Sequence, residues 1–298
     1  MMSSTLLDFF NNNSVKYLSP VNTANLVSFK VGGMGKIAAF PDNTEVLKRV
    51  LLEVGDEKSV VLGKGTNCYF TDNLFDGTII VTTGLNDISI SDNVICAECG
   101  VTLNNLCRFA LENELSGLEF AYGIPGTVGG AVCMNASAFG GCFSNIVHSS
   151  SAFDYKNKIA FELDAREHNF GTKNSVFRSE PLCVLSTRLN LVRGNKKDIK
   201  AKMDEYINRR KTTQPLDLPS AGSTFVRPKN TYASYLIDQA GLKGCRVGGA
   251  MVSMKHAGFI VNCGGATAKD VKELINHIKS VVYDKFSVTL EEEIIYLE

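Results

Sequence analysis

No stretch of this 298-residue chain approaches the roughly 18 to 20 consecutive apolar residues that span a bilayer, so no membrane insertion is expected. Charge of one sign is also lacking. The 31 Lys and Arg balance 31 Asp and Glu, which excludes the basic field of a nucleic-acid binder and leaves any anionic ligand to local groups. The opening MMSSTLLDFFNNN has no basic residue ahead of its short apolar stretch, and Asp8 interrupts that stretch. No secretory signal is expected there, and a cytoplasmic location is. Nine cysteines, odd in number and scattered, with Cys133 and Cys183 inside apolar runs, suit buried reduced thiols rather than a disulfide framework. Cys96 and Cys99 form one C-x-x-C, but no second pair or His pair follows at zinc-like spacing, so no metal is expected. There is no G-x-S-x-G elbow, and His148, His168, His256 and His277 stand in no triad pattern, which argues against serine-hydrolase chemistry. Internal repeats and low-complexity segments are absent as well.

What is present suggests two or three compact units. Residues 36–70 predict strand (KIAAF), helix (Asn43 to Val54), strand (SVVLG) and then the glycine-rich GKGTN. From about Asp76 short β-rich runs follow: GTIIVTT, NVICAECG, SSSAFDY, KIAFEL and CVLSTRLNL. One helix interrupts them, with Leu103, Leu106, Cys107, Ala110 and Leu111 on a single face. Ile199, Met203, Tyr206 and Ile207 mark a helix opening a third unit. Thr267 three residues before Asp270 gives a relative of the capping box, and the stripe Val271, Leu274, Ile275, Ile278 and Val282 continues that helix. SVTLEEEIIYLE predicts a closing strand. The fold class is α+β in three parts, 1–75, 76–193 and 194–298.

Four segments carry chemistry. Gly63, Lys64, Gly65, Thr66 and Asn67 follow an apolar strand, where backbone N–H groups can line an anion-binding concavity. The match to G-x-G-x-x-G fails at Tyr69 and Phe70, so neither a Rossmann fingerprint nor a P-loop is present. From Gly117 to Ala136 five glycines and a proline fall within fourteen residues, including Gly123, Ile124, Pro125, Gly126, Thr127, Gly129 and Gly130, with Asn135 behind them. So many glycines describe backbone that approaches something closely. Together the two glycine-rich segments suit a pyrophosphate and an extended dinucleotide cofactor. Ser223, in the tight turn Ala221-Gly222-Ser223, is placed either as a turn residue or as a proton donor. In the run Glu291-Glu292-Glu293, strand alternation puts Glu293 with Thr289, Ile295 and Leu297, and Glu292 with Leu290, Ile294 and Tyr296. At least one carboxylate then shares a largely apolar face.

In this order the segments resemble the UDP-N-acetylenolpyruvoylglucosamine reductases, over nearly the whole chain from Ser28 to Glu293. The residues that carry the resemblance are FKVGG (Phe29 to Gly33), LGKGTN, GIPGTVGGAVCMNA, TQPLDLPSAGSTF, LIDQAGLKGCRVGGAMVS with KHAGFIVN, and LEEEI. The passage from CVLSTRLNL through one helix to TQPLDLPSAGS is similar to the family's shorter type, which lacks a tyrosine-bearing loop. The resemblance implies a two-lobed FAD-binding region of the vanillyl-alcohol-oxidase (PCMH) type over 1–75 and 76–193, then a substrate-binding domain over 194–298. It implies noncovalent FAD held by the two glycine-rich segments, NADPH as reductant and a UDP-sugar as substrate. Hydride from the flavin would reach the methylene carbon of the enolpyruvyl ether, and protonation of the adjacent carbon would complete a lactyl ether.

Carried over by motif position, Ser223 matches the proton donor and Glu293 the assisting acid, while Arg210 and Arg227 match substrate-binding basic residues. The chain departs from the family at three places. Thr172-Lys173-Asn174-Ser175 stands where tyrosine and arginine precede the x-Ser pair, so Lys173 takes the place of a catalytic arginine and loses its planar fork. Arg178 is the nearest rival; five residues on, it faces the other way in an extended chain, an objection that a bend would remove. Phe139 stands in Ser137-Ala138-Phe139-Gly140 where the family has tyrosine, and Met254 stands where it has glutamate. Another FAD oxidoreductase on the same scaffold, or a catalytically silent flavin- or nucleotide-binding protein, are the competing readings.

Overall fold

The computed structural model describes residues 4–298; residues 1–3, which begin the stretch read for a signal, lie outside them. The chain divides into two compact units, and each has its own apolar core. The first comprises residues up to Ser19, Ile37–Lys64 and Gly77–Asn208; the second comprises Pro20–Lys36, Gly65–Asp76 and Arg209–Glu298. The parts 1–75, 76–193 and 194–298 follow the chain, whereas compactness follows packing between strands that are distant in sequence.

In the first unit, helices α1 (Ser4–Asn12) and α2 (Thr44–Val54) accompany a small sheet. Its strands run in the order Lys16–Leu18, Met34–Phe40, Phe75–Val81 and Ser59–Leu62, with the last two parallel. Asn43 caps α2 by accepting from the Val46 N–H at 2.9 Å, and Gly55 at φ +56 ends it; these are the ordinary start and stop devices of a helix. Helix α3 (Leu103–Glu112) buries all five residues of its predicted face. Its three buried leucines contribute on the order of 1.5–3 kcal/mol each, an upper bound. A larger antiparallel sheet orders Ile159–Asp164, Val147–Asp154, Leu182–Asn190, Val94–Glu98 and Ile88–Ser91. On it lie the short helices α4 (Val128–Cys133) and α5 (Val176–Ser179), and α6 (Lys196–Thr213) begins in this unit.

In the second unit a four-stranded sheet orders Ser220–Ser223, Phe259–Asn262, Ala250–Val252 and Arg246–Val247. Helices α7 (Ala233–Gln239) and α8 (Ala268–Phe286) pack with it. All five residues of the predicted α8 stripe are buried, and Thr267 and Asp270 form a complete capping box. The same Asp270 carboxylate accepts from the Gly249 N–H at 3.1 Å, and a Cβ on Gly248 would stand 2.4 Å from it. Asp72 accepts from Ala268 and Lys269 at 2.7 and 3.0 Å. Both carboxylates sit where the helix start leaves N–H groups without partners.

The closing strand is shorter than predicted. Only Ile295–Leu297 pair, in parallel with Cys68–Phe70. The chain bends at Ile294; Leu290 and Ile294 are both buried, whereas Glu292 between them is exposed and forms one bridge with Phe225. Alternation therefore does not assign the faces of the glutamate run: Glu292 is ion-paired with Lys279 at 2.5 Å, and Glu293 is half-buried. No helix among the described residues is long and apolar enough to cross a membrane.

Candidate active site

Within the first unit the strand Ser59–Leu62 delivers Gly63 against Thr127; a Cβ on Gly63 would stand 2.1 Å from the Thr127 hydroxyl. Two segments 64 residues apart in numbering are thus brought into contact, and only glycine fits at that point. The Thr127 hydroxyl is buried, its residue 1% exposed, and it has no hydrogen-bond partner in the protein. Burying such a group without a partner costs roughly 1–3 kcal/mol, and an oxygen-rich cofactor laid along this backbone would supply the partner. The neighbouring Gly130, Pro125 and Lys64 are exposed, so the segment is open on one side. On these observations the residues present fit a dinucleotide cofactor.

Glycines of the second segment also meet groups within the protein. Gly117 and Gly123 adopt φ +127 and +84, and the Gly123 N–H donates to the Asn104 side chain at 2.8 Å. Gly126 gives its carbonyl to the Leu103 N–H at 3.0 Å, and Ile124 donates to Ala121 at 3.0 Å. The N–H groups of Val128 and Gly129 donate to the carbonyls of Val101 and Cys99 at 2.9 and 2.8 Å, and a Cβ on Gly129 would meet the Cys99 Cβ at 2.9 Å. Glycine at 129 thus also allows close packing of α4 on the strand end. Burial pushes the Cys99 thiol up to about 12 and the Cys133 thiol up to about 11, which keeps both protonated and unreactive.

Asn135, at φ +42, closes the segment with both ends of its amide engaged. It accepts from the Ser144 N–H at 2.9 Å and donates to the Gly171 carbonyl at 2.9 Å. That second bond leads to Lys173. Residues 171–174 form a tight turn with Gly171 and Asn174 bridged and Lys173 at φ +56. The Ser175 hydroxyl donates to the Cys133 carbonyl at 2.9 Å, and α5 follows at once. The segment is therefore bent, not extended. Arg178 folds back and donates to the Lys173 carbonyl at 2.9 Å. The facing objection to Arg178 does not hold in this geometry; what the structure gives Arg178 is a bond to the backbone of Lys173.

The second unit holds Ser223 and Glu293. Gly222 at φ +81 has nothing within 4 Å of a Cβ position, so glycine is required there for conformation rather than space. The pairing of Ser220–Ser223 with Phe259–Asn262 is irregular between Ser220 and Ser223, and the bulge leaves Ser223 exposed. Next to it, the Thr224 carbonyl accepts from the Glu293 N–H at 2.8 Å. The Glu293 carbonyl accepts from the Asn67 side chain at 3.0 Å, and the Ile295 N–H donates to the Asn67 carbonyl at 2.9 Å. Glu293 is thus fixed at both backbone groups, one of them by a residue of the GKGTN segment. Gly65, at φ +58, fits under the Leu26 carbonyl, where a Cβ would stand at 2.3 Å, and Thr66 is half-buried.

Arg210 lies buried in the last turn of α6. Arg227 is exposed, but it is held on two sides: its guanidinium carbon stands 4.0 Å from the centre of the Tyr232 ring, and its Nε donates to the Thr231 carbonyl at 3.2 Å. The NH₂ groups of a guanidinium fork suit phosphate oxygens. The sequence gives no sign of Tyr232 or Asn104 as supports, because neither belongs to a glycine-rich or charged run.

Two family patterns match the chain. Residues 36–159 match "FAD binding domain", and residues 214–297 match "UDP-N-acetylenolpyruvoylglucosamine reductase, C-terminal domain". A UDP-N-acetylenolpyruvoylglucosamine reductase from Thermotoga petrophila is 43% identical over 268 residues, covering 90% of this chain and 94% of that protein. This chain belongs to the UDP-N-acetylenolpyruvoylglucosamine reductase family. Another member, from Clostridioides difficile, is 41% identical over 97% of this chain and 95% of its own length. The crystal structure of the Thermus caldophilus reductase superposes with a TM-score of 0.82 at 32% identity, covering 95% of this chain and 99% of that one. A berberine bridge enzyme variant, 16% identical, aligns over 64% of this chain and 44% of its own with a TM-score of 0.50, a likeness of fold alone. The family's departures have visible surroundings here: Phe139, at φ +50, stacks on Tyr206 of α6 with ring centres 4.4 Å apart, and Met254 is exposed.

Proposed function

We propose that this chain reduces UDP-N-acetylenolpyruvoylglucosamine to UDP-N-acetylmuramate in peptidoglycan precursor synthesis, with noncovalent FAD, with NADPH as reductant, and in the cytoplasm. The observation that carries the proposal is the buried, unpartnered Thr127 hydroxyl beside Gly63 in a member of this reductase family. Residues 1–75 and 76–193 are assigned to the two cofactor lobes and 194–298 to the substrate domain. Gly63, Lys64, Gly65, Thr66, Asn67, Gly123, Ile124, Pro125, Gly126, Thr127, Gly129 and Gly130 are assigned to the cofactor backbone, with Asn135 holding the end of the second segment. Bound FAD would supply hydride chemistry between NADPH and the methylene carbon of the enolpyruvyl ether.

The chain's own residues do the rest. Lys173 offers its ammonium to the substrate carboxylate, where negative charge grows once hydride has arrived, and a fixed cation there lowers the barrier. The exposed Ser223 hydroxyl donates a proton to the adjacent carbon. Glu293, fixed beside the serine's strand, assists that transfer by holding or returning a proton. Arg227 and Arg210 bind the anionic part of the UDP-sugar.

The test is NADPH oxidation by the purified yellow protein with and without the enolpyruvyl sugar nucleotide. Oxidation that depends on the sugar nucleotide, with a product heavier by two hydrogens, is expected. Equal rates with and without it would overturn the proposal in favour of another flavin oxidoreductase, and a protein that neither carries nor binds FAD would overturn it altogether.

A further inference from the structure

His168 is the one fully buried histidine among the described residues, and its bonds can be assigned a direction. Nδ1 lies 2.8 Å from the Asp164 carbonyl, which only accepts, so Nδ1 carries the proton. Burial favours the neutral ring, in which Nε2 accepts from the Ser150 hydroxyl at 2.9 Å and the Ser150 oxygen accepts in turn from Thr187 at 3.0 Å. The imidazole is neutral and anchored by this chain to the two central strands of the larger sheet, Val147–Asp154 and Leu182–Asn190. Its aromatic contacts go to the segment that carries Lys173. Phe170 stacks on the ring with centres 4.8 Å apart, and Phe177 lies against it at 5.8 Å. The His168 carbonyl accepts from the Val176 N–H at 2.8 Å. One residue thus grips both ends of the turn at 171–174. That turn needs gripping, because Asn169 and Lys173 hold φ +48 and +56, conformations that side chains disfavour.

We infer that His168 is a positioning residue for Lys173: the neutral imidazole, fixed by Ser150 and Asp164, sets the backbone of the Lys173 turn and acts on the reaction only through that lysine. The inference rests on the reading of Lys173 as the cation for the substrate carboxylate. A merely structural histidine would affect stability, or both half-reactions alike; a clamp on Lys173 affects only the half-reaction that uses the lysine.

The experiment is a double-mutant cycle on the FAD-loaded, full-length protein, read by stopped flow in two half-reactions: flavin reduction by NADPH and flavin reoxidation by the enolpyruvyl sugar nucleotide. Ser150→Ala, which removes one partner of the ring, and His168→Phe, which keeps its packing and loses both bonds, should each slow reoxidation on the order of ten- to a hundredfold, the usual penalty for small misplacement of a catalytic group. Reduction by NADPH should be unchanged. His168→Gln, whose amide can still donate to Asp164, should recover part of the loss. In a Lys173→Ala background the same changes should have no further effect on reoxidation. Losses that multiply with Lys173→Ala, or that fall equally on both half-reactions in Ser150→Ala, would overturn the clamp while leaving Lys173 as the cation. Unchanged reoxidation in Lys173→Ala alone would remove the reading beneath it and the clamp with it. Should His168→Phe fail to retain flavin, the milder Ser150→Ala decides.

Discussion

Gly222 adopts φ +81 with nothing within 4 Å of a Cβ position, whereas Lys173 carries a full side chain at φ +56 and has its carbonyl bonded by Arg178 at 2.9 Å. The turn before Ser223 reaches its shape locally: a glycine accepts the left-handed conformation, a bulge exposes the hydroxyl, and little else is required. The turn at Lys173 reaches its shape through its surroundings, with Asn135, Ser175, Arg178 and His168 each bonding its backbone or its flanks. The difference is between a side chain presented by sequence-local chemistry and one held by a network. A left-handed non-glycine residue costs on the order of 1–2 kcal/mol, a sum that two or three net hydrogen bonds of roughly 0.5–1.5 kcal/mol each can offset.

If Ser223 is presented for proton donation, Ser223→Ala should slow turnover by about two to four powers of ten while leaving NADPH-driven flavin reduction intact, as steady-state and half-reaction rates together will read. An equal loss in both would make the two turns alike and structural. Lys173→Ala should cost about two to three powers of ten in the substrate-dependent step, the range for a lost charge stabiliser, and Lys173→Arg should retain or raise the rate because the fork suits a carboxylate. If Arg178→Ala alone loses the rate while Lys173→Ala keeps it, Arg178 is the cation.

Thr127→Val sharpens the comparison from the cofactor side with effects of opposite sign. Removing the orphan hydroxyl should leave flavin-free thermal stability equal or raise it by about 1 kcal/mol, and should weaken FAD binding roughly tenfold; titration calorimetry and melting curves check both. Tyr232→Ala should raise the substrate KM about two- to fivefold with little change in kcat, since an exposed cation–π contact such as that under Arg227 is worth about 0.5–1 kcal/mol. Tyr232→Phe should behave as the parent.

The smallest effect concerns pH. Burial holds His168 below the ordinary imidazole value, against the opposing pull of its bond to the Asp164 backbone and of Glu167, and burial does the same to His256. The unfolded chain therefore binds more protons than the folded one just below about pH 6.5. Stability from both groups is fully present above that value and is lost as pH falls through it toward the folded values. Denaturant midpoints should decline from about pH 6.5 downward, and His168→Phe should flatten the decline.

How much of this was legible in the sequence follows the same division. The α3 face and the Thr267–Asp270 box came out where local pattern placed them, because each is a relation across one or two helical turns. Ser223 and the glycine-rich segments were marked by composition. The closing strand was not legible, because the chain bends and exposes Glu292 between the buried Leu290 and Ile294, with which alternation groups it. Nor was the fold-back of Arg178, since Asn174-Ser175-Val176-Phe177 carries no helix signal of its own. The His168 chain joins residues 150, 164, 168 and 187, and Asn67 joins Glu293 across most of the sequence; no window of neighbouring residues contains either.

The account is tested most directly by anaerobic single turnover: protein fully reduced by one equivalent of NADPH is mixed with UDP-N-acetylenolpyruvoylglucosamine, and flavin colour and product mass are followed together. The account predicts that the parent's yellow colour returns as the lactyl ether forms, and that Ser223→Ala and Lys173→Ala reduce normally but regain colour slowly. A parent protein that stays colourless in the presence of the sugar nucleotide would contradict it.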